Sequence, residues 1–258
     1  MIKYLVIGNP IEHSLSPLVH NYWIQKHNLV NSIYEKKKVD KKDLEKIVNQ
    51  IKSDEIKGVN VTVPFKKEII PFVDKLDYIA KSTQSVNTLC KINNEIWGYN
   101  TDAPGFGQSL VDIDYKNKNV FILGAGGVTS SIIHNLSLVA NKIYITNRTK
   151  EKAEQLKKRD LTGKVEVVEW GQKPNICDLV INTTSVGLIK GYNLDLDFKE
   201  YENKENVLFY DIIYNPKETD FLKDARTRGN KTMNGKMMFL YQAQISIKIW
   251  TGHIAEIN

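Results

Sequence analysis

Cysteine is scarce in this chain. Cys90 and Cys177 are the only two, they lie far apart, and neither is part of a C-x-x-C pair. That argues against a disulfide framework and a thiolate zinc site, and it suits a reducing, cytoplasmic setting. Histidine is sparse as well, at His13, His20, His27, His134 and His253. His20 and His27 are too widely spaced for an H-x-x-x-H pair, so each histidine reads as a polar surface residue and no metal is expected. Long apolar runs are missing, since every run breaks off well short of the roughly 20 residues of a membrane span. The opening Met1-Ile-Lys-Tyr-Leu-Val-Ile-Gly8 turns into Asn9-Pro10, with no apolar stretch of signal-peptide length and no small-residue cleavage site. It reads as a first strand. Dense basic tracts are also absent. The net charge is +6, but the lysines are dispersed among acids, and Lys36-Lys37-Lys38 is one short run. Without aromatic and basic residues interleaved, neither nucleic acid nor membrane is an expected partner. A mildly positive field suits a small anionic ligand.

What is present is a sequence of 258 residues, 41% of them hydrophobic, enough for one large domain or two small ones. Strand-like and helix-like runs alternate. Residues 3–8 read as a buried strand, and Pro17 to Asn28 as a helix with Ser16 at its N-cap and Pro17 at its first position. Residues 32–38 read as a strand. Leu44, Ile47, Val48 and Ile51 share one face of a helix over Asp40 to Ile51. A strand over Gly58 to Val63 is ended by Pro64, and residues 86–99 form a hairpin about Asn93-Asn94. From about residue 103 a second unit begins. Val120 to Leu123 is a continuous apolar strand, followed by a glycine turn and a helix over Val128 to Val139. Lys142 to Thr146 is a strand, Thr149 caps a helix to Lys158, and further strands fall near 165–168, 177–182 and 207–210. This rhythm predicts a parallel sheet with helices on both faces. A last helix, Gly235 to Trp250, is expected to return to the first domain.

The turn Gly124-Ala-Gly-Gly127 has the strand before it and the helix after it that a pyrophosphate site needs: a tight turn and a backbone close to a helix N-terminus. The third fingerprint position holds Thr129 instead of glycine. About 20 residues on, where an NAD site places an acid for the ribose 2′-hydroxyl, stand Asn147 and Arg148, with Lys150 and Lys152 following. Positive charge there suits a 2′-phosphate, which arginine can grip bidentately, so the residues favour NADP over NAD.

The first half gives weaker hints. Ser14 and Ser16 put two hydroxyls at a helix start, where carboxylates bind well. Lys66 follows a strand end, where ligands gather in α/β sheets. Taken alone, Lys66 is one solvated lysine beside Lys67, and Asp102 is an N-cap. Together the segments resemble the shikimate dehydrogenase family. They are Ser14-Leu-Ser-Pro17, Asn60-Val-Thr-Val-Pro-Phe-Lys66, Val86-Asn-Thr88, Gly98-Tyr-Asn-Thr-Asp102, Gly124-Ala-Gly-Gly127, Asn147-Arg-Thr149, Asn182-Thr-Thr-Ser-Val-Gly187 and Tyr241-Gln-Ala243, in this order along nearly the whole chain.

The resemblance implies a two-domain α/β protein. A substrate-binding domain would span 1–102, completed by a C-terminal helix over 235–258. A Rossmann NADP-binding domain would span 103–234, with a cleft between the two. The implied reaction is reversible NADPH-dependent reduction of 3-dehydroshikimate to shikimate, on the route to chorismate and the aromatic amino acids. Lys66 and Asp102 would be the catalytic pair. Ser14 and Ser16 would hold the substrate carboxylate, while Asn60, Thr62, Asn87, Tyr214 and Gln242 would bind the ring and its hydroxyls. Gly124, Ala125, Gly126, Gly127, Val128, Asn147, Arg148, Thr149, Lys150, Lys152, Thr183, Ile212 and Gly235 would hold NADP. The chain departs from the family at Thr83-Gln-Ser85, where Ile-Gly-Ala is common, and at Lys152, where a second arginine is frequent. An NAD-dependent quinate or shikimate oxidant and a catalytically inactive ligand sensor are the competing readings. The absent acid after residue 146 argues against the first and intact Lys66 and Asp102 against the second. A homodimer is the candidate assembly, although no interface pattern is legible.

Overall fold

A computed structural model describes residues 1–188, 194, 196–202, 204 and 206–257. The chain divides into two compact units, Met1–Gly105 with Leu240–Asn258, and Phe106–Phe239.

In the first unit the strands are β1 (Ile2–Gly8), β2 (Ser32–Lys38), β3 (Gly58–Val61), β4 (Lys75–Leu76), β5 (Thr88–Ile92) and β6 (Glu95–Tyr99). The helices are α1 (Ser16–Lys26), α2 (Leu44–Lys52) and α3 (Tyr78–Thr83), and the unit boundary falls within α4 (Asp102–Ser109). The sheet runs β2-β1-β3-β5-β6-β4, with β1, β2 and β3 parallel and β5 antiparallel to both β3 and its hairpin partner β6. Asn93 and Asn94 both take positive φ, 49° and 67°, as a two-residue hairpin turn demands and asparagine tolerates. Alternation along β1 splits the core. Leu5 and Ile7 pack with α2 through Leu44, Ile47, Val48 and Ile51. Tyr4 and Val6 pack on the other face with Trp23, Ile24, Ala243 and Ile247. The last two belong to the final helix, whose Trp250 donates its indole N–H to the Leu89 carbonyl at 3.0 Å. A β-carbon on Gly58 would lie 2.3 Å from that indole nitrogen, so glycine lets the ring close on β3.

The second unit holds β7 (Asn119–Leu123), α5 (Gly127–Leu136), β8 (Lys142–Thr146), α6 (Lys150–Arg159), β9 (Val165–Val167), β10 (Leu179–Asn182), β11 (Leu208–Asp211), α7 (Asp220–Thr227) and β12 (Lys231–Asn234). α8 (Lys236–Thr251) carries the second boundary. Every pairing in this sheet is parallel, in the order β12-β11-β10-β7-β8-β9. That is a doubly wound dinucleotide-binding sheet with its switch point between β7 and β10. Val120 and Ile122 pack toward Ile132, Ile133 and Leu136, while Phe121 and Leu123 pack toward Phe209, Leu222 and Ala225. Burial on both faces is why these strands read as unbroken apolar runs.

Three local expectations need correction. Ser16 is inside α1, with Leu15 at the cap position and no side-chain cap bond; the Ser16 N–H instead reaches the Ser14 hydroxyl at 3.3 Å. Thr149 occupies the cap position of α6 without accepting through its side chain. His20, expected on the surface, is 1% exposed and stacked on Tyr34 at 4.2 Å, because its position on α1 turns it into the aromatic layer that Trp23 and Trp250 complete. Among the described residues no helix is long and apolar enough to cross a membrane, and no group of three or more His, Cys, Asp or Glu could hold a metal.

Candidate functional site

Topology alone gathers the candidate residues of the first unit at one sheet edge. β1 and β3 are parallel, and β6, antiparallel to β5, runs the same way as β3. Their C-terminal ends, and the start of β5, therefore share an edge. Ser14 and Ser16 follow β1, Thr62 and Lys66 follow β3, Asn87 precedes β5, and Asp102 begins α4 after β6.

The side chains there form a polar cluster. Lys66 Nζ donates to Asp102 Oδ2 at 2.5 Å, with the side chains 13% and 7% exposed. Asn87 Nδ2 donates to Asp102 Oδ1 at 3.0 Å, so both carboxylate oxygens are engaged. Asp102, whose plain reading was a helix cap, points its carboxylate at Lys66 and Asn87, while Asn100 Oδ1 accepts from the Ala103 N–H at 3.1 Å. Asn87 Oδ1 accepts from the Thr101 N–H at 2.7 Å, and Asn87 Nδ2 also lies 3.3 Å from Gln242 Oε1 on α8. Lys66 is anchored through its backbone, its carbonyl accepting from the Val86 N–H at 2.8 Å. The Ser14 hydroxyl donates to that of Ser16 at 3.2 Å. Thr62 is half-buried directly after β3. Asn60 differs from the rest. It is buried, with its oxygen accepting from the Tyr34 hydroxyl at 2.6 Å and its nitrogen directed at Asn87 O, Thr88 Oγ1 and Ser246 Oγ. Its polar atoms are spent inside the protein, which suits holding neighbours better than touching a ligand. Thr88, Thr101 and Ser246 were not singled out from sequence. Thr88 and Thr101 stand in the quoted segments, and only their partners give them a role.

At the Thr83-Gln-Ser85 departure, Gln84 takes φ 51° and ψ 45°, left-handed backbone that glycine adopts without cost. The segment is held by Asn100 Nδ2, which donates to Thr83 Oγ1 at 3.1 Å and to the Ser85 carbonyl at 2.9 Å.

In the second unit the candidate residues lie at the C-terminal ends of the strands, the edge where ligands of such sheets bind. Gly124 has φ +109°, and a β-carbon there would meet Thr183 Oγ1 at 2.7 Å. Gly126 is exposed at the start of α5, and a β-carbon on it would meet nothing within 4 Å. The first amides of a helix have no partner within it, so an open glycine at this point leaves room for an anion. Ala125, Gly127 and Val128 complete the turn. Thr129, at the position glycine usually fills, is buried. Its hydroxyl accepts from the Gly126 N–H at 3.0 Å and meets Thr183 Oγ1 at 2.8 Å, so it ties the turn to the β10 end. Asn147 works similarly, accepting from the Ala125 N–H at 3.1 Å and donating to the Thr149 carbonyl at 2.7 Å. Arg148 is exposed just past β8, and Lys150 is paired with Glu169 on the surface. Lys152 lies on the first turn of α6. Ile212 is half-buried after β11. A β-carbon on Gly235 would sit 2.0 Å from the Ile212 carbonyl oxygen, so only glycine lets α8 begin there. Tyr214 stacks on Phe239 at 4.3 Å. Open glycine, anchored turn and exposed Arg148 together fit a dinucleotide carrying a 2′-phosphate.

Below this edge lies a clamp not foreseen from sequence. Asp211, fully buried at the end of β11, accepts from the Thr219 hydroxyl at 2.6 Å, the Ile213 N–H at 3.0 Å and Asn182 Nδ2 at 3.1 Å. Burial raises its carboxyl from the usual range to about 6, and these donors oppose the rise.

Comparison with known proteins covers both units. Residues 6–89 match the family model described as shikimate dehydrogenase substrate binding domain, and residues 106–220 the model described as shikimate / quinate 5-dehydrogenase. The shikimate dehydrogenase (NADP(+)) of Pelagibacter ubique is 47% identical, covering 99% of this chain and 95% of that protein. A crystal structure of a shikimate dehydrogenase in complex with NADP+ superposes with a TM-score of 0.90 at 34% identity, covering 99% of this chain and 92% of the other. The Thermus thermophilus enzyme in complex with NADP(H) and shikimate gives 0.87 at 27% identity, covering 99% and 95%.

Proposed function

This chain belongs to the shikimate dehydrogenase family, and from that premise we propose that it interconverts 3-dehydroshikimate and shikimate with NADP, using Lys66 and Asp102 as its catalytic pair. The observation that carries the assignment of the pair is the 2.5 Å contact between Lys66 Nζ and Asp102 Oδ2, largely shielded from water.

NADP, when bound, supplies or takes up the hydride. The residues for its phosphates are the Gly124–Val128 turn and Arg148, with Lys152 adding charge, and Asn147, Thr149 and Thr183 holding the turn and its surroundings. During ketone reduction negative charge builds on the carbonyl oxygen. Lys66 stabilises that charge and delivers a proton to the oxygen; in the reverse direction it takes the proton back. Asp102 keeps the ammonium aimed, and Asn87 holds the carboxylate by its second oxygen. Ser14 and Ser16 offer hydroxyls to the substrate carboxylate. Thr62, Asn87, Tyr214 and Gln242 serve the ring hydroxyls. A site with a polar group for each hydroxyl rejects analogues that lack one, because its own groups are then left unpaired. No acid stands at the end of β8 to select NAD, and Asn147 instead braces the glycine turn. The compartment that fits is the cytoplasm, where the two free, buried cysteines stay reduced. A homodimer is the assembly to test by sedimentation.

Steady-state oxidation of shikimate with NADP and with NAD, for wild type and Lys66→Ala, tests the reading. NADP-dependent turnover that falls by about 10²–10⁴-fold in the variant is the expected result. Absence of turnover of shikimate and quinate with either cofactor would overturn it in favour of a ligand sensor.

A further inference from the structure

An amide side chain presents a donor at one end and an acceptor at the other, and the two ends have nearly the same shape. Asn87 and Gln242 therefore read a ligand correctly only if something fixes which end faces it. For Asn87 the lock is local: the Thr101 N–H claims Oδ1, leaving the NH2 for Asp102, Thr101 Oγ1 and Gln242 Oε1. Gln242 thus keeps its oxygen toward Asn87, but the 3.3 Å contact is long, and its side chain is carried by a different element, α8.

The link from α8 to the strands is Ser246, one helical turn beyond Gln242 and fully buried. Its hydroxyl donates to the Gln242 carbonyl at 2.9 Å. Its lone pairs then face Asn60 Nδ2 at 3.0 Å and Thr88 Oγ1 at 2.9 Å, and Thr101 Oγ1 lies 3.3 Å away. Asn60 is itself locked from both ends. The Asn87 carbonyl, an acceptor only, faces its NH2 at 3.1 Å, and the Tyr34 hydroxyl donates to its oxygen at 2.6 Å. Reversing Asn60 would set oxygen against oxygen at Asn87. Donor direction is thereby handed from Tyr34 on β2, through Asn60 on β3, to Ser246 on α8.

We propose that Tyr34, Asn60 and Ser246 are positioning residues that order the donors and acceptors behind Asn87 and Gln242, and so set which ring hydroxyls the site accepts. The inference rests on the functional reading above. In terms of that reading, these residues decide selectivity among substrates without touching the reacting atoms.

The test uses Tyr34→Phe, which keeps the ring and its stack on His20 but removes the donor, and Ser246→Ala. Kinetics are measured with shikimate, with each of its mono-deoxy analogues, and with NADP as the varied substrate. Loss of one oriented hydrogen bond predicts a rise in KM for shikimate of about five- to tenfold, and a comparable fall in preference for shikimate over at least one deoxy analogue. KM for NADP stays within about twofold, since an interaction lost at one ligand changes that ligand's binding alone. Variants that melt earlier yet keep the wild-type KM for shikimate and the wild-type discrimination would overturn the proposal and leave these residues a purely structural role. Wild-type turnover of shikimate separates the two failures: without it the functional reading falls and takes this inference with it; with it, only the variants decide.

Discussion

Burial without a hydrogen-bond partner constrains His20 sharply. His20 has no hydrogen-bond partner on either ring nitrogen among the described residues, and it lies flat against Tyr34 with Trp23 and Trp250 around it. Removal from water lowers its pKa from 6.5 to about 3. The folded-state value is depressed, so between about pH 6.5 and 3 the unfolded chain binds the extra proton. Stability is then full above pH 6.5 and falls as the pH drops through that window, by an amount on the order of a few kcal/mol. Asp211 acts oppositely. Its raised value means stability is greatest below the ordinary carboxyl range and lost as the pH climbs toward about 6. The two are separable by substitution. His20→Phe keeps the stacked shape and removes the orphaned polar atoms, so it should leave stability at pH 7 unchanged or up to about 1 kcal/mol higher. It should also flatten the loss of stability below pH 6, measured by denaturant titration across the pH range. An acid limb as steep as wild type would assign that limb elsewhere. Nothing in the sequence announced this site. A histidine on a helix that also carries exposed residues reads as surface, and its burial depends on Trp250, at the far end of the chain.

Among elements, the two glycine positions that open helices α5 and α8 make contrasting predictions. Gly126 has extended backbone, φ −83° and ψ −173°, and free space where a β-carbon would go. Gly126→Val should therefore leave the melting temperature close to wild type while raising KM for NADP by roughly tenfold or more, a loss of about 1.4 kcal/mol. At Gly235 the space is taken by the Ile212 carbonyl, so Gly235→Ala should lower the melting temperature itself. Equal effects on both readouts in both variants would count against a cofactor role for Gly126. Gln84 offers a gain, because Gln84→Gly relieves left-handed backbone at the end of α3 and should stabilise by up to about 1 kcal/mol in thermal melts. The elements legible from sequence were those whose side chains repeat their environment. The apolar runs of β1, β7 and β10 and the one-sided face of α2 are direct images of burial. Two of those missed, α4 and β12, carry no such image. α4 is written Asp-Ala-Pro-Gly-Phe-Gly-Gln-Ser, poor in helix formers, and β12, Lys-Thr-Met-Asn, is a half-exposed edge strand. Each forms because its neighbours supply partners.

At the scale of the whole molecule, charge is the property that acts over distance. A net charge of +6 should attract both the anionic acid and the dinucleotide, and salt should weaken that attraction. KM for shikimate and for NADP should both rise between about 10 mM and 0.5 M ionic strength, with kcat changed less. A KM independent of salt would mean that short-range contacts alone set the affinity. By itself the sequence determined the alternation of strands and helices, the place of the glycine turn and the kind of charge beyond β8, because periodicity, turn chemistry and residue charge are local and are written in neighbouring residues; the division into two domains came from the family resemblance. It also offered Lys66 and Asp102 as candidates, but as a lysine and an acid 36 positions apart. Only the tertiary structure decided that they touch, that the amide of Asn60 is bonded to Tyr34, Thr88 and Ser246, and that Ser246 reaches Asn60 from 186 positions away. Burial and hydrogen-bond direction belong to no residue alone: they arise when the packing of a sheet edge and a returning helix removes water and fixes which acceptors each donor can face.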